Sequence, residues 1–268
     1  MKHTVIGAAE LHLGDCRDVL AQLPADSVDV VLADPPYGDT SLEWDSIVPG
    51  WLPAAARVLK PAGSLWIFGS MRFLAPLFAE AEALGFKYSQ DIVWEKQNGT
   101  GFHADRFRRV HEHAVMFYRG AWADVYQDTQ YTADATARTV RRKQRPAHTG
   151  NIDAGHYVSE DGGPLMMRSV IYARNEHGRA IHPTQKPVEL LRPLVRYSCP
   201  PGGVVLDPFS GSASAGEAAM LEGRRFIGIE KKPNHFADGS SRLALVHEPI
   251  QKPLFAREAL DVRAEVPA

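Results

Sequence analysis

Cysteine is nearly missing from this chain: Cys16 and Cys199 are the two in 268 residues. That is too few for a disulfide framework or a four-thiolate metal site. No apolar run approaches the ~18 residues that a membrane-crossing helix requires. The start, Met1-Lys2-His3-Thr4, is followed by too short an apolar stretch for a secretory signal, so a cytoplasmic protein with no membrane partner is expected. Excess charge is lacking too, with 30 Lys and Arg against 32 Asp and Glu and a net charge of −2. A surface coated throughout for nucleic acid is thereby excluded, whereas a single basic face is not. There is no internal repeat, and no Gly-Lys-Ser/Thr follows a Gly-rich turn, which excludes a P-loop. What the chain does have is length enough for one or two domains that bury about 70–75% of the unfolded surface.

Short apolar runs alternate with helix-like stretches, the pattern of an α/β fold with a mostly parallel sheet. Val28 to Ala33 reads as a buried strand closed by Asp34-Pro35-Pro36, and Leu52 to Leu59 as a helix stopped by Pro61-Ala62-Gly63. Ser64 to Gly69 is the next strand and Phe73 to Leu84 the next helix. Lys87 to Trp94 and His113 to Tyr118 are two strands able to pair antiparallel. Regular pattern returns with a helix over Pro187 to Tyr197, a strand at Val204-Val205-Leu206, a helix over Ala215 to Glu222 and a strand from Arg225 to Ile229. From Pro249 the sequence has no clear period.

Between residues 98 and 181 the pattern dissolves into polar, Gly-containing sequence, read as an insertion. Over residues 101–186 thirteen basic residues face nine acidic ones, a local net charge of +4 within a chain of −2. One basic face follows. Arg106, Arg108, Arg109, Arg138, Arg141, Arg142, Lys143 and Arg145 are its candidate nucleic-acid contacts, the last five for phosphates.

Three constellations carry chemistry. Asp34-Pro35-Pro36-Tyr37 stands at the carboxyl end of a buried strand, where open parallel sheets place their ligand crevices. The prolines hold the backbone extended, so the Asp34 carboxylate and the Pro35 carbonyl can accept the two protons of an exocyclic NH2 while Tyr37 stacks on its ring. Val205 to Gly216 is a strand, a small-residue loop and a helix start. Its Gly211-x-Ala213-x-x-Gly216 spacing is a degraded dinucleotide fingerprint, and Glu230 lies 19 residues beyond Gly211, where an acid meets ribose hydroxyls. Asp207 in the first turn sits where a pyrophosphate would otherwise be, so a cationic or zwitterionic nucleoside fits better. His182-Pro183-Thr184-Gln185-Lys186-Pro187 brackets with prolines a lysine able to meet a carboxylate. His111-Glu112-His113 points two histidines to one face without a third ligand, and no metal is expected.

With Asp34-Pro35-Pro36-Tyr37 first in the chain, the polar insertion second and the Gly211 loop last, the three constellations resemble the β class of the S-adenosylmethionine-dependent DNA amino methyltransferases, over about residues 10–245. The resemblance implies a doubly wound, mostly parallel, seven-stranded sheet with one antiparallel strand, His113 to Tyr118. It implies a circularly permuted catalytic domain of residues 1–97 and 182–248, a target-recognition region at 98–181 and a tail at 249–268. It implies that Asp34, Pro35, Pro36 and Tyr37 are catalytic, with Asp34 also bordering the cofactor. Asp207, Phe209, Gly211 and Ser212 line that cofactor, Glu230 binds its ribose, Asp15 and Cys16 lie by its adenine, and Lys186 lies near its methionine carboxylate. Ala213 departs from the glycine common in the family's loop. Trp44-Asp45 is a candidate lid over the base. Asp rather than Ser at the head of the tetrapeptide implies adenine N6 in double-stranded DNA, flipped out of the helix, and relatives of this class imply a homodimer. Four other readings stand beside it: cytosine N4, an RNA or protein methyltransferase, a DNA-binding regulator without catalysis, and a nicotinamide dehydrogenase, which would leave Asp34 to Tyr37 without a task.

Overall fold

The computed structural model describes residues 2–38, 45–100, 104–141, 156–176 and 185–251. In chain order these form β1 (Lys2–Ile6), β2 (Ala9–Leu13), α1 (Cys16–Gln22), β3 (Val28–Ala33), α2 (Trp51–Val58), β4 (Leu59–Gly69), α3 (Met71–Ala83), β5 (Lys87–Thr100) and β6 (Arg109–Tyr118). A 3-10 turn at Trp122–Asp124 leads to β7 (Tyr131–Thr132), β8 (Arg138–Arg141), β9 (His156–Ser159), β10 (Leu165–Met166) and β11 (Val170–Tyr172). The chain continues with α4 (Val188–Ser198), β12 (Val204–Asp207), α5 (Ser214–Leu221), β13 (Arg225–Glu230) and α6 (Pro233–Gln251).

Nine strands make one sheet in the order β1-β2-β13-β12-β3-β4-β6-β5-β11. Its inner seven, β2 through β5 in that order, are the expected sheet, with β6 running against both neighbours. Two edge strands extend it: β1, antiparallel to β2, and the three-residue β11, parallel to β5. Two separate two-stranded pairs, β7 with β10 and β8 with β9, lie within the span read as an insertion. Residues 109–118 and 170–172 belong to that same span yet pair into the main sheet, so the span read as an insertion interleaves with that sheet.

The strands read as continuous apolar runs because both faces of the sheet are covered. Val30, Leu32, Trp66, Phe68, Ala114 and Met116 pack with α4, α5 and α6, where Leu190, Leu194, Ala218 and Leu243 are buried. Their neighbours Val31, Ala33, Leu65, Ile67, Val115 and Phe117 turn the other way against α1, α2 and α3, meeting Leu20, Leu52, Ala55 and Leu74. The alternation is the period of two of a pleated strand. Each fully buried Leu or Phe contributes about 1.5–3 kcal/mol, which fixes strand register firmly. Two polar links tie the core together: Trp66 Nε1 donates to Ser198 Oγ at 3.1 Å, and Asp29 accepts from Lys60 Nζ at 2.7 Å and Val204 N at 2.9 Å.

Several elements escape the sequence reading, in whole or in part. Helix α1 is only seven residues long, with Cys16, Val19 and Leu20 its buried stripe and Asp15 its N-cap, accepting from Arg17 N at 3.1 Å. Helix α6 carries Gly239-Ser240-Ser241 in its middle, poor helix formers. The glycine is there for close approach: a Cβ on it would lie 3.2 Å from Ala213 Cβ and 3.3 Å from Gly211 O, so α6 runs tightly over the loop after β12. Strand β5 extends past Trp94 and β6 begins four residues before His113, through polar sequence that a hydrophobic pattern leaves as loop.

Candidate active site

Strand β12 leads through α5 to β13 on one side of the sheet centre, and β3 leads through α2 to β4 on the other. The carboxyl ends of β3 and β12 are therefore the point where the strand order reverses, and a crevice opens there. Asp207 is the last residue of β12, and Asp34 directly follows β3. A cavity of about 580 Å³ occupies the crevice, lined at one end by Asp15, Cys16, Phe209, Gly211, Ser212 and Glu230, and at the other by Asp34, Pro36, Phe68 and Lys186. Residues from opposite ends of the sequence, such as Asp15 and Glu230, meet in this one space because each ends a strand or starts the loop after one.

At the first end the loop is shaped by backbone as much as side chain. Gly211 has φ +50° and Ala213 φ +57°, so the chain turns through the left-handed region twice before α5. Glu230, closing β13, accepts Gly211 N at 2.9 Å and Lys232 N at 2.7 Å, which ties the end of one strand to the loop of the next. Asp207 accepts Phe209 N at 2.9 Å. Burial pushes its carboxyl up to about 8, with Asp34 and Glu230 adding repulsion, and burial raises Glu230 as well. The Phe209 ring stands edge-on to Trp51 with centroids 5.3 Å apart. Ser212 Oγ and Arg242 both reach Gln185 Oε1, at 3.2 and 2.6 Å, so α6 also braces the segment that carries Lys186.

The second end is a buried charge cluster. Asp34 Oδ1 accepts the Tyr37 hydroxyl, and Asp34 Oδ2 accepts the Lys186 ammonium at 2.5 Å. Lys186 Nζ also lies 3.4 Å from Glu112 Oε2 of β6, while Glu112 Oε1 accepts the Lys96 ammonium from β5. Burial raises Asp34, against the pull of Lys186. Burial works to lower Lys186, but Asp34 and Glu112 outweigh it and raise it. For Glu112, burial is outweighed by Lys186 and Lys96, which hold it at about 2. Asp45 Oδ1 accepts Tyr37 N at 2.7 Å and Gly38 N at 2.9 Å, pinning the loop after the tetrapeptide.

Each expected site residue can now be placed. Asp15, Cys16, Asp34, Pro36, Lys186, Asp207, Phe209, Gly211, Ser212 and Glu230 line the one cavity. Pro35 is buried, and Tyr37 is folded inward, its hydroxyl on Asp34 and its ring 5.3 Å from Phe73. The Lys186 ammonium, expected near a cofactor carboxylate, is paired with Asp34 and lies near Glu112. Arg106, Arg108 and Arg109 cluster where the chain passes from β5 to β6, beyond the carboxyl edge of the sheet; Arg106 pairs with Asp105 at 2.7 Å. Phe107 among them is fully exposed. Arg138 and Arg141 lie on β8, in a two-stranded pair outside the nine-stranded sheet. Arg142, Lys143, Arg145, Trp44 and His182 to Thr184 lie outside the described residues. The rings of His111 and His113 are 5.3 Å apart, as one face requires, and His113 Nδ1 is 3.3 Å from Asp91.

Sequence reasoning missed Glu112 and Lys96 as site residues. The available signal was a Lys two residues past one strand and a Glu one residue before another, two strands already expected to pair; in the structure Trp94 stands directly opposite Glu112.

A family model described as "DNA methylase" matches residues 28–240. The chain is 27% identical to the Type II methyltransferase M.HinfI of Haemophilus influenzae, over 86% of this chain and 67% of that one. It is 29% identical to the DNA adenine methyltransferase YhdJ of Escherichia coli (strain K12), over 86% and 81%. Among solved structures, an M1.HpyAVI–SAM complex superposes with TM-score 0.58 at 23% identity, covering 87% of this chain and 99% of that one. The PvuII DNA methyltransferase (cytosine-N4-specific) does so with TM-score 0.60 at 16% identity, covering 93% and 96%. At these identities the two structures establish the fold.

Proposed function

The chain belongs to the DNA methylase family, and from that premise we propose that it transfers a methyl group from S-adenosylmethionine to the N6 amino group of adenine in double-stranded DNA. The observation that carries the reading is the single cavity joining the Gly211 loop and Glu230 at one end to Asp34 at the other. The residues fit the cofactor: buried acids at Asp207 and Glu230 suit a cationic nucleoside with ribose hydroxyls, and Phe209 offers an aromatic wall. Asp15, Cys16, Asp207, Phe209, Gly211, Ser212 and Glu230 would hold it. When bound, S-adenosylmethionine supplies a methyl group already activated by its positive sulfur.

What the protein must add is alignment. Asp34 and the Pro35 carbonyl accept the two amino protons and turn the nitrogen lone pair toward the cavity's cofactor end, with Pro36 fixing the backbone between them. Tyr37 stacks on the flipped base once its hydroxyl leaves Asp34. No covalent bond to the protein is needed. Adenine rather than cytosine is favoured by Asp34 and by the likeness to a relative named as an adenine methyltransferase.

Residues 98–181, apart from the strands they lend to the sheet, form the target-recognition region. Arg106, Arg108, Arg109, Arg138, Arg141, Arg142, Lys143 and Arg145 contact DNA there, mainly its phosphates. A second copy of the chain is the other partner; Tyr131 and Met166, paired across β7 and β10 and both exposed, offer it an apolar surface. No helix among the described residues is long and apolar enough to cross a membrane, and the cytoplasm is the proposed location. The test is incorporation of labelled methyl into duplex DNA in the presence of excess RNA. Label in the DNA supports the reading, and label confined to RNA, or none, overturns it.

A further inference from the structure

We infer that Glu112 is a positioning residue that takes the Lys186 ammonium from Asp34 when a target amino group arrives. The inference rests on the methylase reading above, since it needs Asp34 as the acceptor for that amino group. Both Asp34 oxygens are engaged by the protein itself, Oδ1 by the Tyr37 hydroxyl and Oδ2 by Lys186 Nζ. An incoming N–H group has to displace one of them.

Lys186 has a second carboxylate beside it. Glu112 Oε2 lies 3.4 Å from Nζ, and this oxygen is buried and accepts no hydrogen bond among the described residues. A buried carboxylate oxygen left without a donor is costly, and a shift of roughly 0.6 Å would bring the ammonium to an ordinary charge-assisted distance of about 2.8 Å. Glu112 itself is anchored, because its other oxygen holds the Lys96 ammonium, which sits 4.3 Å above the Trp94 ring. The rings of Phe68, Tyr37 and Trp94 surround Lys186 Nζ with centroids at 5.3, 5.7 and 5.9 Å. Their faces favour a cation throughout a short shift, so the ammonium stays in the pocket. Two carboxylates and two ammoniums make the cluster neutral, and moving Lys186 from one carboxylate to the other keeps it so. With Glu112 neutralised, Asp34 is the carboxylate of the protein left to Lys186 among the described residues, and the lysine stays on it.

The test compares the wild type with Glu112→Gln, Lys186→Met and the double variant, using unmethylated genomic duplex DNA. Single-turnover transfer gives the rate, titration calorimetry with S-adenosylmethionine gives cofactor affinity, and melting checks the fold. Glu112→Gln keeps shape and an acceptor for Lys96 but removes the charge; transfer is expected to fall at least tenfold with cofactor affinity within twofold of wild type. Removing Lys186 in that background is expected to raise the rate above that of Glu112→Gln alone, which a merely structural role would not do. Transfer by Glu112→Gln within twofold of wild type, or a double variant whose loss equals the product of the single losses, overturns the inference. If Glu112→Gln does not fold, Glu112→Asp, with its carboxylate one methylene shorter, is expected to show the slowed transfer, and normal transfer by it is equally contrary. A wild type that methylates no duplex DNA removes the underlying reading as well, and so is distinguishable from a failure at Glu112.

Discussion

Replacing Asp34 by Asn separates the catalytic role of the carboxylate from its structural one. The side chain keeps its volume, and its remaining oxygen can still accept one hydrogen bond. It loses the charge that faces Lys186 at 2.5 Å. Breaking a buried ion pair typically costs about 3–5 kcal/mol when the partner is left uncompensated. Lys186 is not left so, because Glu112 Oε2 stays 3.4 Å away, and a cost of about 1–3 kcal/mol follows. At roughly 2–4 °C per kcal/mol for a chain of this size, the melting temperature should fall by about 2–12 °C. Transfer should suffer more. A charged acceptor aimed at a reacting amino group resembles an oxyanion-hole donor in reverse, and removing one such group costs about 10²–10³ in rate. Asn can hold an amino proton through its carbonyl, so the loss should lie toward the lower bound, with Asp34→Ala slower still. The assay is initial-rate methyl transfer at saturating cofactor and DNA, with cofactor affinity measured separately by calorimetry. A rate within threefold of wild type, or cofactor binding lost in step with transfer, would refute this assignment of Asp34.

Three further outcomes are expected. Asp207 is pushed up to about 8 by burial, against about 3.9 for an unfolded Asp. Between those values the folded state holds a proton that the unfolded chain has released, so stability falls as pH rises through the window. Asp207→Asn should flatten that fall by up to about 1.4 kcal/mol per pH unit, checked by urea midpoints at several pH values; an unchanged slope would count against it. Ala213 sits at φ 57° and ψ 34°, a conformation that costs a non-glycine residue about 1–2 kcal/mol. Ala213→Gly relieves this but loses a buried methyl of about 0.8 kcal/mol and adds about 0.4–1 kcal/mol of unfolded-state entropy. Stability should therefore stay within about 1 kcal/mol, and a larger change in melting would show that the loop is held otherwise. Neutralising Arg106, Arg108 and Arg109 together should weaken binding to all DNA sequences and make its salt dependence shallower by about 0.9 for each phosphate no longer neutralised. Binding isotherms at several salt concentrations check this, and an unchanged slope would remove these arginines from the interface.

The parts of the structure legible in the sequence are those governed by burial. Val28 to Ala33, Ser64 to Gly69 and Arg225 to Ile229 read as strands because both their faces are packed, which leaves a run of apolar residues whatever the tertiary surroundings. The ends of those strands were equally legible as a site, since Asp34 and Asp207 are charges placed directly after apolar runs. The partners of those charges were not. Lys186 stands 152 residues from Asp34, and a lysine between prolines carries no mark of which carboxylate it will meet. Lys96 and Glu112 fall just outside the strands that the pattern shows, because patterning treats charge as a sign of solvent; here Glu112 meets both Lys96 and Lys186 inside. Helix α6 was hidden by its own packing, for the glycine that lets it approach the Gly211 loop is what weakens its helical signature.

The most direct test of the central claim is the identity of the product. Duplex DNA methylated with labelled S-adenosylmethionine is digested to nucleosides, and the labelled nucleoside is identified by mass. N6-methyldeoxyadenosine is the expected result. N4-methyldeoxycytidine would contradict the link from Asp34 to adenine while leaving the amino-group chemistry in place, and the absence of any labelled nucleoside would contradict the claim that this site transfers methyl groups to DNA.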